Sequence, residues 1–224
     1  MFRKRTRAAV LAAAIAAGAA LAAPASAHAA TAIGPGDTIR YITSNTSSTC
    51  TLGFTFRAYG RTFGVTAGHC VAEDRGYILD ANTGDRGRII NYDYDRTREG
   101  NDYALIDFGA APVASTLLDT RIAAATAPPA DSTICHTGIA SGTSCATLAA
   151  RYGNQYLTTA IADSPGDSGG PVWTRYGIDE LAIVGIWLGA HRDETGATYG
   201  RFFPIKEALT GLGLQTAADR AGRA

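Results

Sequence analysis

The sequence has no excess of charge of either sign. Its 20 lysine and arginine residues balance 20 aspartate and glutamate residues, and charged residues make up only 18% of the chain. Removal of residues 1–29, which hold four of the basic residues and no acidic one, would leave 16 basic against 20 acidic residues, a net charge of −4. A mildly acidic net charge gives no reason to expect a nucleic acid or an anionic membrane surface as a partner. We therefore expect neither of them as a partner.

Apolar runs long enough to cross a membrane are lacking as well. The alanine-rich run at the N-terminus covers residues 8–23, follows four basic residues, and is succeeded by small residues up to Ala29. Such a run is short for a transmembrane helix, whereas a basic start and a small-residue end are typical of a secretory signal. We predict a signal peptide over residues 1–29, cleaved after Ala27 or Ala29, and a secreted, extracellular protein.

Cysteine is scarce, with four residues in the chain. The number is even and the cysteines follow an export signal, so we expect two disulfides. The cysteines are Cys50, Cys70, Cys135 and Cys145, and their number alone leaves three pairings open.

The polar segment 92–100 lacks the regular oxygen spacing of a calcium loop, and we interpret it as a solvated loop.

Helical periodicity is missing from most of the chain. Short segments of alternating polarity, separated by Gly, Asn, Asp and Ser turns, predict β-strands. The predicted strands are 38–42, 51–56, 61–65, 77–79, 87–91 and 103–108, followed by 132–136, 147–152, 157–161, 171–175, 181–188 and 198–203. Apolar residues at helical spacing after Pro204 predict one short C-terminal helix.

These strands predict an all-β fold of two six-stranded antiparallel barrels, because closure removes exposed sheet edges. We place the N-terminal barrel at residues 30–115 and the C-terminal barrel with the helix at residues 116–215. The Ala-, Thr- and Pro-rich stretch 110–130 is interpreted as the crossing between them. Residues 216–224 are predicted to be a disordered tail.

One serine lies in glycine-rich sequence, Gly166-Asp167-Ser168-Gly169-Gly170. Glycine at position 166 can adopt a strained backbone conformation, so that its N–H and that of Ser168 converge where a substrate oxygen would become negative. A glycine-rich turn between two strands is the alternative interpretation.

Two further motifs favour a catalytic site. His69 follows small residues and precedes Cys70, where the imidazole can act as a general base. Asp102 begins an apolar run and can accept a hydrogen bond from the far ring nitrogen of that histidine. Asp107, in the same run, is the rival carboxylate, but residues five apart in a strand point to opposite faces.

These motifs resemble those of the chymotrypsin-fold serine peptidases, in particular the secreted bacterial branch with the streptogrisins and α-lytic protease. The similarity extends from about Ile33 to Leu214, with the motifs in the order His, Asp, Ser. It implies a serine endopeptidase with the triad His69, Asp102 and Ser168, an oxyanion hole made by the N–H groups of Gly166 and Ser168, and the disulfides Cys50–Cys70 and Cys135–Cys145. It also implies protein or peptide substrates, a monomer, and no metal or organic cofactor.

The resemblance also places a pocket for the side chain that precedes the cleaved bond. Its walls would be the residues just before the nucleophile and the strand after Trp187, with Ala162, Leu188, Gly189 and Ala190 as candidate substrate-binding residues. These carry no charge, although nearby Asp163 leaves a basic preference open. We therefore expect an uncharged apolar side chain of medium or large size.

In this family an aspartate at position 167 pairs with a buried cation, and His136 stands where many bacterial members have an arginine. The resemblance implies a protonated His136 against Asp167, so that the oxyanion loop would lose order as the pH rises above the pKa of His136. An exposed histidine is the alternative.

Two other functions remain open, namely a catalytically silent or latent secreted binding module on the same fold, and an esterase using the same site.

Overall fold

A computed structural model of the protein describes residues 32–71, 76–97 and 99–214. The predicted signal peptide and C-terminal tail lie outside these residues. The strands and the helix are β1 (Thr38–Ile42), β2 (Ser47–Thr51), β3 (Phe54–Ala58), β4 (Arg61–Thr66), β5 (Tyr77–Asp80), β6 (Arg86–Tyr94), β7 (Asp102–Asp107), β8 (Thr116–Leu117), β9 (Thr120–Ala125), β10 (Thr133–Gly138), β11 (Gly142–Tyr152), β12 (Gln155–Thr158), β13 (Pro171–Arg175), β14 (Glu180–Arg192), β15 (Thr198–Pro204) and α1 (Ile205–Gly211).

The first half forms a seven-stranded antiparallel sheet in the order β2-β1-β5-β6-β7-β4-β3, curved into a half-barrel. Its two end strands are consecutive in the chain, because only Leu52 and Gly53 separate β2 from β3. The sequence predicted one strand here. The interruption lets the backbone pass the second half closely, since a Cβ on Gly53 would lie 2.4 Å from the carbonyl oxygen of Gly169.

The second half closes into a six-stranded barrel. Strands β13, β10, β11, β12, β15 and β14 follow one another around it, and pairing of β13 with β14 completes the ring. Two strands, β8 and β9, were missed by the sequence prediction, because both lie in the Ala-, Thr- and Pro-rich stretch interpreted as a connection. Strand β9 pairs with β14 in parallel, outside the ring, which departs from the expected purely antiparallel arrangement.

Two apolar clusters form the core. The larger one fills the first half and extends to β14 and α1, and the smaller one fills the closed barrel with Ile134, Val172, Val184, Trp187 and Phe202. The helix α1 buries Ile205, Ala208 and Leu209. The prediction of an all-β fold with one short C-terminal helix is confirmed. Within the described residues, no helix has the length and hydrophobicity required to span a bilayer.

The two halves meet through aromatic packing beside β7. The ring of Tyr103 lies 4.9 Å from that of Phe203, centroid to centroid, and both side chains are buried. This contact joins the beginning of β7 to the end of β15, so that Asp102 lies at the junction of the two halves.

Candidate active site

His69 lies in a 3₁₀ turn, Gly68–Val71, that follows β4. The turn packs closely on the neighbouring strands, since a Cβ on Gly68 would lie 2.7 Å from the carbonyl oxygen of Asp93 and 3.0 Å from the backbone nitrogen of Tyr103. Only glycine permits this approach. A disulfide from Cys70 to Cys50 attaches the same turn to β2.

Asp102 binds His69 with both carboxylate oxygens. Its Oδ1 accepts the backbone N–H of His69 at 2.9 Å, and its Oδ2 lies 2.8 Å from the ring Nδ1. Asp102 is only 6% exposed. Because a carboxylate can only accept hydrogen bonds, this contact places the ring proton on Nδ1 and leaves Nε2 as the basic nitrogen.

Asp107 lies at the other end of β7 and binds elsewhere. Its carboxylate forms an ion pair with Arg61, at 2.8 Å from Nη2, and accepts the backbone N–H of Gly109. Burial raises the pKa of Asp107, but the contacts with Arg61 and Gly109 outweigh it and hold the pKa below its usual range. The structure thus brings Asp102, and not Asp107, to His69.

The loop that carries Ser168 presents two backbone N–H groups. Gly166 has a φ of 108°, a left-handed conformation that favours glycine. Ser164 and Asp167 close a turn around it, with the N–H of Asp167 donating to the Ser164 carbonyl at 3.0 Å. Within the part of the chain that the structure describes, the N–H groups of Gly166 and Ser168 have no acceptor.

Asp167 anchors this loop through backbone groups. Its Oδ1 accepts the N–H groups of Ala140 and Ser141 at 2.8 and 3.0 Å, and its Oδ2 accepts that of Ser164 at 2.9 Å. The side chain is fully buried. Burial raises the pKa of Asp167, but hydrogen bonds from Ser141, Ala140 and Ser164 lower it further than burial raises it. The carboxylate therefore remains ionised.

The expected ion pair between His136 and Asp167 is wrong. His136 is fully buried, its Nε2 lies 2.7 Å from the carbonyl oxygen of Ala162, and its ring stacks on Trp187 at 4.1 Å. No ion pair joins His136 to Asp167 among residues 32–71, 76–97 and 99–214. Burial lowers the pKa of His136, so the ring is neutral near pH 7 and donates to the carbonyl. The alternative of an exposed histidine is equally wrong.

Thr51, at the end of β2, connects the serine loop to the first half. Its backbone N–H donates to the carbonyl oxygen of Ser168 at 2.8 Å, and its Oγ1 donates to that of Gly166, also at 2.8 Å. The same hydroxyl accepts the N–H of Ile139 at 3.2 Å. Sequence reasoning gave this residue no role, although its position beside Cys50 in a recognised motif was a signal.

A cleft of about 270 Å³ contains His69, Asp102 and Ser168. It is lined by His69, Tyr94, Asp102, Asp163, Ser164, Pro165, Ser168, Leu188, Gly189, Ala190 and Arg201. Three of the four predicted substrate-binding residues are thus beside the serine. The fourth, Ala162, is not among the described residues that line the cleft. Its carbonyl binds His136 instead, and Asp163 takes its place in the wall.

Tyr94 and Arg201 were missed by sequence reasoning. The segment 92–100 was interpreted as a loop, but β6 continues to Tyr94, which pairs with Asp102 across the sheet. The Tyr94 ring thereby lies 5.9 Å from that of His69. Arg201 reaches the cleft from β15, and its Nη1 donates to Oε1 of Gln155 at 3.1 Å.

The arrangement can perform acyl transfer without a bound cofactor. It combines an oriented histidine, a serine in the same cleft and two N–H groups available to an oxyanion. In the described chain, no hydrogen bond joins Ser168 Oγ to His69; such bonds are often long before substrate binds. The described residues also contain no group of three or more His, Cys, Asp or Glu side chains that could bind a metal ion.

Comparisons with known proteins identify the family of the chain. Residues 51–185, more than half of the chain, match the family model of the trypsin-like peptidase domain. Comparison with curated protein sequences found no match.

Solved structures of bacterial proteases share the fold. Protease A from Thermobifida fusca is 23% identical with a TM-score of 0.62, over 82% of this chain and 97% of the other. The chymotrypsin of Cellulomonas bogoriensis is 24% identical with a TM-score of 0.60, over 80% and 94%. The Nocardiopsis protease NAPase is 20% identical with a TM-score of 0.61, over 81% and 97%. On the family match and the shared fold together, the chain belongs to the trypsin-like peptidase domain family and is a serine-type endopeptidase.

Proposed function

We propose that the protein is a secreted serine endopeptidase that hydrolyses peptide bonds through His69, Asp102 and Ser168. The observation that carries the proposal is the pair of hydrogen bonds from His69 to Asp102, made in the cleft that also contains Ser168. Both oxygens of one carboxylate hold the backbone and the ring of the histidine, which sets its tautomer and orientation.

The reaction has two stages, and the first forms an acyl-enzyme. Ser168 Oγ attacks the carbonyl carbon of the peptide bond while its proton passes to Nε2 of His69. The carbonyl oxygen becomes negative and is stabilised by the N–H groups of Gly166 and Ser168. The carbon–nitrogen bond then breaks, and the proton on Nε2 passes to the leaving amine.

Water completes the cycle. It attacks the acyl-enzyme and gives a proton to Nε2, after which the carbon–oxygen bond to Ser168 breaks and the proton returns to the serine. One peptide bond and one water are consumed, and one carboxylic acid and one amine are released. The chain's own side chains and backbone supply every group that these steps need.

We infer that the side chain preceding the cleaved bond is uncharged and apolar. Leu188, Gly189 and Ala190 carry no charge, and Arg201, which also lines the cleft, donates from Nη1 to Oε1 of Gln155 at 3.1 Å. The carboxylate of Asp163, beside these residues, accepts hydrogen bonds from Trp187 Nε1 at 2.7 Å and from the N–H of Ala190 at 2.9 Å. Both of its oxygens therefore already have donors within the cleft wall, which weakens the case for a lysine or arginine preference.

We propose an extracellular location and a monomeric state. Two disulfides, Cys50–Cys70 and Cys135–Cys145, favour an oxidising compartment, and residues 1–29 carry the signal pattern. N-terminal sequencing of the exported protein should begin at His28 or Ala30. A start at Met1 would contradict secretion by a cleaved signal.

Labelling of the folded, disulfide-intact protein with a fluorophosphonate probe, followed by mass spectrometry, tests the proposed function. We expect the label on Ser168 in the wild type and none in Ser168→Ala or His69→Ala. Asp102→Asn should reduce the labelling rate by about 10³–10⁴-fold, because the histidine loses its correct tautomer. Asp107→Asn is the matched control and should label at close to the wild-type rate.

Absence of label on a folded wild-type chain would contradict the proposal. A secreted binding module that keeps the fold without turnover would then be the better description. Label on a residue other than Ser168 would show that the nucleophile is assigned wrongly.

A further inference from the structure

We propose that Trp187 and Asp163 close the slot beside Ser168, so that the enzyme cleaves after small side chains such as alanine and does not admit large ones. The inference rests on the proposed function, whose catalytic serine it uses. It narrows the preference for uncharged side chains and replaces the medium or large size that the sequence alone suggested.

The position of the substrate follows from the catalytic groups. When a carbonyl carbon lies at Ser168 Oγ and its oxygen points to the N–H groups of Gly166 and Ser168, the adjoining side chain must enter the cleft next to the serine. Two segments bound the cleft there, Asp163 to Pro165 on one side and Leu188 to Ala190 on the other. A deep specificity slot would have to open between them.

Asp163 ties these two segments together. Its Oδ2 accepts the backbone N–H of Ala190 at 2.9 Å, and its Oδ1 accepts Trp187 Nε1 at 2.7 Å. A Cβ on Gly189 would lie 3.6 Å from the Asp163 carboxylate, at van der Waals distance. The two walls are therefore joined through Asp163, and we infer that no slot deep enough for a leucine or phenylalanine side chain opens between them.

Trp187 fills the space beneath this contact. Its side chain is 0% exposed and belongs to the apolar core of the closed barrel. One face of the indole stacks on the His136 ring, 4.1 Å away and tilted by 7°. The far end of the indole lies against β15, where a Cβ on Gly200 would be 2.3 Å from Cη2. The glycine at this position makes room for the indole and not for a substrate.

The backbone of Trp187 fixes the indole next to the nucleophile. Its carbonyl oxygen accepts the N–H of Gly169 at 2.7 Å, and its N–H donates to the carbonyl of Gly170 at 2.8 Å. The residue is thus bonded to the two positions that directly follow Ser168. A tightly packed core side chain in this position leaves only the shallow surface of the cleft for the substrate.

Steady-state cleavage of matched peptides that differ only in the residue before the cleaved bond tests the inference on the wild-type enzyme. We expect alanine to give the highest kcat/KM, with leucine, phenylalanine, arginine and glutamate each at least about tenfold lower. Across alanine, 2-aminobutyrate, norvaline and leucine, kcat/KM should fall with each added methylene. An equal or higher value for any large or charged residue would overturn the inference.

Removing the indole provides the second test. In Trp187→Ala, the ratio of kcat/KM for leucine or phenylalanine to that for alanine should rise by at least about tenfold, because the vacated space opens into the cleft. Trp173→Ala is the matched control, because Trp173 donates from Nε1 to Thr137, whereas Trp187 donates from Nε1 to Asp163 in the wall of the cleft. Its selectivity should equal that of the wild type.

The outcomes separate the two proposals. A fluorophosphonate-labelled Trp187→Ala enzyme with unchanged selectivity would exclude Trp187 as the determinant, while the proposed function would stand. If Trp187→Ala does not fold, the methylene series on the wild type still decides the size limit. A wild type that neither labels nor cleaves any peptide would contradict the proposed function itself.

Discussion

The backbone N–H of Thr51 donates to the carbonyl oxygen of Ser168 at 2.8 Å, across 117 positions of sequence. Thr51 belongs to the first half of the molecule and Ser168 to the second. The hydroxyl of the same threonine binds the carbonyl of Gly166. One buried residue thus holds the two positions whose N–H groups would bind the oxyanion, and it holds them relative to the half that carries His69.

Replacement of Thr51 by valine should lower activity more than stability. Valine keeps the shape and the backbone hydrogen bond but removes the hydroxyl contacts to Gly166 and Ile139. We expect the free energy of unfolding to fall by about 1–2 kcal/mol and kcat to fall by about 10–100-fold as Gly166 loses its restraint. Denaturant unfolding and peptide cleavage measure the two effects.

The control for that change is Thr55→Val. Thr55 is also a buried threonine, and its hydroxyl donates to the carbonyl of Ala114, away from the serine loop. Thr55→Val should lower the free energy of unfolding by a similar amount for each hydrogen bond lost and should leave kcat unchanged. Equal losses of kcat in both variants would show that Thr51 has no positioning role.

Replacement of Asp167 by asparagine should collapse the serine loop. The amide offers one acceptor oxygen where the carboxylate uses two, so the N–H groups of Ala140 and Ser141 or that of Ser164 lose their acceptor. We expect a loss of about 2–4 kcal/mol in the free energy of unfolding and no fluorophosphonate labelling. Asp193→Asn, in a surface turn where Asp193 binds the N–H groups of Thr195 and Ala197, should change neither.

The pH dependence of Asp167 follows from its lowered pKa. The unfolded chain binds this proton more readily than the folded chain, so the stabilisation is present above the ordinary aspartate pKa and is lost as the pH falls through the folded value. Thermal melts below pH 4 should show a steeper loss for the wild type than for Asp167→Asn. Melting temperatures that fall equally steeply with pH in both proteins would contradict the lowered pKa of Asp167.

His136 should affect the acid side of the stability profile and not the alkaline side. Because burial lowers its pKa, the folded chain binds this proton less readily than the unfolded chain. Stability is therefore retained above the ordinary histidine pKa of about 6.5 and falls as the pH is lowered below it.

In His136→Gln, the alkaline limb of the pH–rate profile should be unchanged, and the decline in melting temperature between pH 6.5 and 5 should be shallower than in the wild type. His191→Gln, on the strand end away from the barrel core, is the matched control. If the alkaline limb of the pH–rate profile shifted in His136→Gln, the result would instead support an ion pair between His136 and Asp167.

Asp37 should make the protein less stable as the pH rises towards neutrality. Burial, together with the nearby carboxylate of Asp80, raises the pKa of Asp37 to about 7, while the hydrogen bond from Gly34 opposes this only in part. The folded chain thus binds this proton more readily than the unfolded chain. The stabilisation is full below the ordinary pKa of 3.8 and is lost as the pH rises through about 7.

In Asp37→Asn, the free energy of unfolding should therefore change less between pH 4 and 7 than in the wild type. At pH 8 the variant should be more stable than the wild type. Chemical denaturation at several pH values measures this. The surface variant Asp179→Asn should follow the wild type, and an Asp37→Asn curve parallel to it would contradict the raised pKa.

Much of this protein could be predicted from short stretches of its sequence. Alternation of polar and apolar residues marks strands because successive side chains point to opposite faces of a sheet, and the change of period after Pro204 marked the helix Ile205–Gly211 for the same local reason. The sequence prediction missed the interruption at Leu52 and Gly53 and the strands β8 and β9, because each depends on what lies against the backbone and not on the pattern of side chains.

The candidate site divides in the same way. The sequence by itself determined that His69, Asp102 and Ser168 are present in a recognisable order, because each lies in a motif of neighbouring residues. Only the tertiary structure decided that Asp167 binds backbone N–H groups in place of His136, that Thr51 holds the serine loop, and that Trp187 occupies the space beside it. Almost every residue has the same backbone N–H donor, so a hydrogen bond to the backbone leaves no pattern in the sequence. The packing of a core depends on residues that are distant in sequence, so it leaves no local pattern either.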